Sequence, residues 1–423
     1  MPRSPSSPAF WRSPLRGPWF TSVLGVVLLV GITVLFVTGL VSYAAYNPDL
    51  SPVNDQTPDK GLLGFYLFSW PTHPSWLYRL TQGVHVTLGI VLIPVLLAKL
   101  WSVVPKLFAL PPARSLAHAL ERLSLLLLVG GGLFEFTTGV LNVQLDYIFP
   151  GSFYPLHFYG AWVFFAAFLA HAVLKMPLAL RNLRHLRDET PAEASAETPV
   201  ETPFEDGELV SPNPAEPTVS RRGALGVVGG GSLLLLATTA GRSFDGPLRE
   251  TAVLAPHGGP EPGGGPGGFQ INKTAAYAGI SPTETGEEAW RLVVTGRAGR
   301  SVRLGRPQLL QLALHSSALP IACVEGWSTS DQWWRGVRLR DLAALVGHDD
   351  PVDVLVESLQ RHGAFRRAAL RANQVADSRS LLALFVNGED LTPDHGYPAR
   401  VIVPAAPGVL NTKWVARMTF GDL

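Results

Sequence analysis

The sequence predicts a multidomain membrane protein. An all-α transmembrane bundle of four helices, plus a fifth single span, precedes an α+β domain outside the bilayer. Three observations predict this. Charged residues are only 16% of the 423 residues, against about 25% in a soluble protein. The missing charges leave long uncharged runs within the first 241 residues. The last 155 residues, Phe269–Leu423, have ordinary polarity and suffice for one core. A hydrophobic content of 47% excludes disorder throughout, and a net charge of +1 gives no reason to expect nucleic acid. The single cysteine, Cys323, excludes an internal disulfide, a Cys-rich zinc site and an iron–sulfur cluster.

Each span follows from its charge pattern. Gly17–Pro48 is a run of 32 residues without Asp, Glu, Lys or Arg, and about 20 apolar residues cross a bilayer as a helix. Leu80–Ala98 is a second run, of 19, and Leu123–Leu145 a third, broken only by Glu135. Tyr147–Leu174 is a fourth, of 28, and Gly223–Gly241 a fifth, of 19. A helix is the expected form because lipid offers no partners to backbone polar groups. The first run is too long for a cleaved secretory signal, whose apolar part is about 7–15 residues.

Lys and Arg in the flanks set the orientation. With the N-terminus in the cytoplasm, the inner segments hold 13 such residues and the outer loops only Lys60 and Arg79. Everything after Gly241 is then outside. The fifth span opens Ser220-Arg221-Arg222-Gly223 and runs through Gly229-Gly230-Gly231 into leucines. This resembles an internal twin-arginine export signal, with the export machinery as an implied partner; two ordinary positive-inside arginines are the alternative. The boundaries are 17–187 for the four-helix haem domain argued below and 188–220 for an acidic, Pro-rich cytoplasmic linker. The fifth span is 221–241, the Gly-rich tether 242–268, and the exported domain 269–423. The linker carries nine acidic residues, six prolines and no Lys or Arg, which predicts disorder. The tether carries eight glycines, which predicts flexibility.

Histidines within spans are functional candidates because ionisable groups there are costly. His85 lies in the second span, and His157 and His171 in the fourth. The latter two are 14 residues apart, close to four helical turns, so both face one side about 21 Å apart. That suits two stacked haems. His85 and His157 both fall in the outer half and can share one iron. His171 lies near the inner side, where His118, before the third span, is the candidate partner. These features resemble the membrane di-haem cytochromes b that serve formate dehydrogenases and hydrogenases, which implies one or two haem b groups. This chain departs from them in having no histidine in the first span. Glu135 is a candidate for proton movement at a quinone site, or a hydrogen-bonded structural acid.

The exported domain reads as short strands with a few helices: strands near 290–296, 351–357, 399–404 and 414–420, and a helix near 307–314. The block Ile321-Ala322-Cys323-Val324-Glu325-Gly326-Trp327-Ser328 leads to Trp333-Trp334-Arg335-Gly336. A lone cysteine is commonly a small buried hydrophobe, yet a thiolate is also a strong soft metal ligand. A second block runs Leu384-Phe385-Val386-Asn387-Gly388-Glu389, Asp394-His395-Gly396-Tyr397-Pro398-Ala399-Arg400, Val403-Pro404, Gly408 and Thr412-Lys413-Trp414. Together the two blocks resemble the molybdopterin-dependent oxidoreductases of the sulfite oxidase type. They are similar to the branch of bacterial periplasmic methionine-sulfoxide reductase catalytic subunits.

The resemblance implies a molybdenum–molybdopterin cofactor with Cys323 as the metal ligand and catalytic centre. It places His395, Arg400, Lys413 and Thr412 in the pterin pocket. It adds Asn272 and Lys273 from the opening segment, and Arg361 and His362 after the strand near 351–357. The chain departs from sulfite-oxidising members, which follow the metal cysteine with Gly-Asn-x-Arg, where here stands Val324-Glu325-Gly326-Trp327. The implied function is oxo transfer on a small S- or N-oxide or oxidised methionine at the outer face. Electrons would be exchanged through haem b with the quinone pool. The alternative is a membrane haem electron carrier or binding protein whose C-terminal domain has lost its cofactor.

Overall fold

Long apolar helices occupy the first part of the chain in the computed structural model, and short strands the last. Described are all residues except 1–3, 55–67, 109–114, 144–152, 189–210, 212–213, 245, 256–266 and 363–364. Helix α1 spans Pro18–Ala44, α2 Leu77–Val91, α3 Ile93–Leu107, α4 Leu116–Leu141, α5 Tyr154–Asp188 and α6 Arg221–Thr239. Four helices are long and apolar enough to cross a membrane, or five if α2 and α3 form one bent span. The bend is 41°. It sits where Pro94 enters the first turn of α3, because proline has no N–H and its ring crowds the carbonyl four residues back. The span expected over Leu80–Ala98 thus lies within this bent pair. At the start of α6 the Ser220 hydroxyl accepts from Gly223 N at 3.0 Å, an N-cap that satisfies an otherwise orphaned donor.

The chain packs as two units. The first comprises Met1–Phe36, Leu88–Gly139 and Leu156–Leu236. Its core is Phe20, Leu24, Leu28 and Ile32 of α1 with Leu92, Val95, Leu96, Phe164 and Phe168. The spacing of four in α1 puts those side chains on one face. Other apolar side chains point outward, among them Val30, Leu126, Val163, Val173 and Leu233. An apolar outer surface is what lipid requires and water penalises.

The second unit comprises Val37–Thr87, Val140–Pro155 and Ala237–Leu423. One sheet has the order β2-β1-β10-β5-β6 and the other β3-β4-β7-β8, with β9 also on β7. The strands are β1 Leu292–Thr295, β2 Ser301–Leu304, β3 His315–Leu319, β4 Gln332–Arg338 and β5 Val354–Ser358. The others are β6 Arg367–Leu370, β7 Leu381–Val386, β8 Glu389–Asp390, β9 Arg400–Ile402 and β10 Val415–Phe420. Among the described strands, β1 and β10 pair in parallel and the other ladders are antiparallel. The main core joins Trp290, Leu292 and Val294 to Leu339, Val356, Leu370, Leu382 and Met418. The domain is α+β, as expected.

Segments from the helical part of the sequence are built into this unit. Asn47 is fully buried and its amide donates to the Ala369 carbonyl at 3.1 Å and to Gln374 Oε1 at 2.9 Å. Trp70 Nε1 donates to the Ala405 carbonyl at 2.7 Å. Arg371 is paired with Asp49.

The tether differs from expectation in its first part. A turn at Ala240–Ser243 is followed by a short helix, α7, Pro247–Glu250. Arg242, Arg249 and Ala252 are buried. Packing against the sheet domain outweighs the entropy that the glycines, concentrated beyond Gly258, would confer. Most of the acidic linker and residues 256–266 lie outside the described residues.

Candidate active site

The loop between β3 and β4 carries Cys323. Its shape is set by backbone bonds: Cys323 N donates to the Trp327 carbonyl at 2.8 Å, and Gly326 N to the Cys323 carbonyl at 3.1 Å. Gly326 closes this turn at φ 87°, a conformation costly for any residue with a Cβ. Thr329 braces the base, its N donating to the Ile321 carbonyl and its hydroxyl accepting from Ile321 N, both at 2.9 Å. Gly408 N donates to the Ala322 carbonyl at 2.7 Å, tying in the second sequence block. Cys323 is buried. Burial, with the Glu325 carboxyl beside it, holds its thiol above the usual value, and a bound metal cation reverses that preference. Glu325 Oε2 accepts from Trp327 Nε1 at 2.8 Å.

Next to this loop lies an open cleft with about 560 Å³ of space between atoms. Gln270, Lys273, His395, Arg400, Thr412 and Lys413 are among its walls. Asn272, Trp327, Gly408 and Asn411 also line it. The short turn Pro393–His395 presents His395, whose N donates to Thr392 Oγ1 at 3.2 Å while its Nδ1 pairs with the same hydroxyl at 3.0 Å. The Phe269 ring stands edge-on to it at 3.9 Å. Burial, then the charges of Arg400 and Lys413, push the His395 imidazolium down to about 3, so the ring is neutral near pH 7. Arg400 donates to the carbonyls of His395 at 3.1 Å and Asn411 at 3.2 Å, and burial brings it down to about 9. Lys413 Nζ donates to the Lys273 and Asp394 carbonyls. Burial, with Arg400 and Lys273 near it, drives Lys413 well below the usual lysine range.

This wall concentrates cations and donors that the protein leaves unsatisfied. Among the described residues, His395 Nε2, Arg400 Nε, Thr412 Oγ1 and both polar atoms of the Gln270 side chain are buried without a hydrogen-bond partner. Orphaned buried donors are costly. They fit a polar, phosphate-bearing pterin, since charge-assisted bonds to phosphate are the strong ones. Of the residues expected in the pocket from the sequence, Asn272, Lys273, His395, Arg400, Thr412 and Lys413 line the cleft, while Cys323 is buried in the adjoining loop and Arg361 and His362 lie elsewhere. Arg361 pairs with Glu284, and His362 is exposed on the face toward Gly279. From that stretch Gln360 and Phe365 reach the cleft instead. The glutamate capping the helix at Pro282 draws Arg361 away, an attraction across 77 positions that the sequence does not display.

The candidate haem ligands lie on the helices. His85 is on α2, its Nδ1 3.2 Å from Thr38 Oγ1, and a Cβ on Gly39 would stand 3.0 Å from its ring. His157 and His171 are both on α5. His157 Nδ1 is 2.9 Å from Thr138 Oγ1 and 3.1 Å from Glu135 Oε2, and its ring leans on Gly139. In both cases a threonine of another helix engages Nδ1. His118 is in α4, with its side chain outside the described residues.

Residues 278–422 match a family described as "Oxidoreductase molybdopterin binding domain". The chain is similar to the uncharacterized oxidoreductase YuiH of Bacillus subtilis (strain 168), 30% identical over 131 residues, which is 31% of this chain and 65% of that protein. It is similar to mitochondrial sulfite oxidase of Mus musculus, 31% identical over 156 residues, which is 31% of this chain and 29% of the other. It is also 35% identical over 96 residues to the NAD(P)H nitrate reductase of Hordeum vulgare, covering 20% of this chain and 10% of that one. The chain thus spans less than two thirds of the length of each of these relatives.

Proposed function

The C-terminal part of the chain is an oxidoreductase molybdopterin-binding domain of the sulfite oxidase type, and from that premise we propose that the whole chain is a membrane-anchored redox enzyme. It reduces a small S- or N-oxide with electrons drawn from the quinone pool. The observation that carries the reading is the set of orphaned buried donors beside the Cys323 loop. Cys323 supplies a thiolate to molybdenum, the soft ligand such a metal takes. Arg400, Lys413 and Thr412 would hold the phosphate end of the pterin, with Asn272 and Lys273 lining the same cleft. His395, kept neutral, would offer Nε2 to the cofactor.

When bound, the molybdenum cofactor supplies two-electron oxo transfer and haem b one-electron relay. Cleaving one S–O or N–O bond consumes two electrons and two protons and releases water, which one quinol supplies. The chain's residues position these groups. His85 and His157 would share one iron, and His171 would take a second with His118 as its candidate partner. Glu135 and Thr138 orient the His157 ring, as partners of a ligating histidine do. Four or five apolar helices support anchoring in the bilayer. The excess of basic residues at one set of helix ends supports a cytoplasmic N-terminus and an extracytoplasmic site, and the twin arginines before α6 support export of that domain.

Two measurements on membranes holding the full chain test this. Reduced viologen should be oxidised on addition of dimethyl sulfoxide, methionine sulfoxide or trimethylamine N-oxide. A dithionite-reduced spectrum should show a b-type haem that His85→Ala and His157→Ala each diminish. No turnover with any acceptor, or an intact haem spectrum in both variants, contradicts the reading.

A further inference from the structure

Every second backbone carbonyl along the Cys323 loop is held by a donor from elsewhere in the chain. The Ala322 carbonyl accepts from Gly408 N at 2.7 Å, and Gly408 belongs to the residues that match the molybdopterin family. The next three donors do not. The Val324 carbonyl accepts from Gln82 Nε2 of α2. The Gly326 carbonyl accepts from Ser243 Oγ at 2.7 Å. The Ser328 carbonyl accepts from Arg249 Nη2 of α7. Gln82, Ser243 and Arg249 all precede residue 278, where the family match begins.

The same segments also pack closely on the loop. A Cβ on Gly326 would stand 2.8 Å from Val86 Cβ, and one on Gly83 would stand 3.3 Å from Ser243 Oγ. Gln82 and Val86 are neighbours on one face of α2, and both meet the loop. Arg79, one turn earlier, donates Nε to the Ser243 carbonyl at 3.1 Å, so α2 also fixes the residue that holds Gly326. Ser328 N donates to the Arg242 carbonyl at 3.3 Å. The internal bonds of the loop, Cys323 to Trp327 and Gly326 to Cys323, close its turn but leave open where the turn points. The outside donors settle that direction. A ligand side chain works only when the groups behind it hold it at the productive angle.

We infer that Gln82, Ser243 and Arg249 are positioning residues for the Cys323 sulfur. Helix α2 and the turn after α6 are thereby parts of the redox site, and residues 278–422 alone do not set the orientation of the cysteine. The inference rests on the proposed function for its statement that Cys323 ligates molybdenum. It deepens that reading by assigning the aim of the ligand to segments outside the family domain.

The test uses the full chain in detergent, with molybdenum content measured on every sample. Gln82→Met removes the donor and keeps the length of the side chain. Ser243→Ala removes the hydroxyl, and answers for the methionine variant should that one fail to fold. Each should lower kcat about 10- to 100-fold with the acceptor that wild type turns over fastest, as a misplacement on the order of 1 Å does. KM and molybdenum content should stay as in wild type. The Mo(V) electron paramagnetic resonance signal, which reads the angle at the metal–sulfur bond, should shift its g-values in both variants. Asn47→Ala cuts the bonds to Ala369 and Gln374 instead, and should lower the melting temperature with g-values unmoved. Wild-type kcat and g-values in Gln82→Met and Ser243→Ala overturn the inference, as does an equal shift in Asn47→Ala. Absent molybdenum in the wild type instead refutes the reading on which it rests.

Discussion

Replacing Cys323 by serine should lower turnover by at least about a thousandfold, equivalent to about 4 kcal/mol in the barrier, while the haem spectrum is retained. The loop should survive the change. Its shape comes from the Cys323–Trp327, Cys323–Gly326 and Thr329–Ile321 backbone and hydroxyl bonds, none of which uses the sulfur. The pterin cradle should survive as well, because Arg400, Lys413 and Thr412 lie on other segments. What is lost is a soft thiolate, for which a hard hydroxyl is a poor substitute. Turnover and haem absorbance measured on the same preparation decide it, and unchanged turnover refutes the ligand role of Cys323.

Replacing Trp70 by alanine should destabilise the sheet-containing unit by about 3–5 kcal/mol. Trp70 is 1% exposed and packs with Ala44, Ala45, Tyr46, Tyr78 and Ala322. Its removal also strands the Ala405 carbonyl that its indole bonds, adding the cost of a buried unsatisfied acceptor. At about 2–4 °C per kcal/mol for a unit of this size, the melting temperature should fall by about 10 °C. Differential scanning fluorimetry of the detergent-solubilised chain measures it. A fall of only a degree or so would mean that the Trp70 segment is not part of the folded unit.

Much of this architecture was legible because it is written locally. Apolar runs longer than a bilayer is thick have few alternatives, and the helices lie over those runs. The Cys323 block and the His395–Lys413 block are contiguous stretches whose residue types match their chemistry, and they meet at one cleft. The sequence was less informative wherever partners are distant. Asn47 looks like a loop residue, yet its amide bonds Gln374, 327 positions away. Strand β7 is buried on both faces, so it shows no alternation and reads only as an apolar run. Strand β4 was hidden because its tryptophans, arginines and glycine read as a motif. The bend at Leu92 had a visible signal in Pro94. Arg242 had one too, as the cation nearest the end of the fifth span, but the glycines that follow it spoke for a tether.

The central claim is that the cleft beside Cys323 holds a molybdenum cofactor in a chain that also carries haem. Elemental analysis of the purified full-length protein tests this most directly, with molybdenum and iron quantified against protein. The account predicts about one molybdenum per chain, together with iron that tracks the haem absorbance. Iron and a haem spectrum without molybdenum, in cells that load other molybdopterin enzymes, would contradict it.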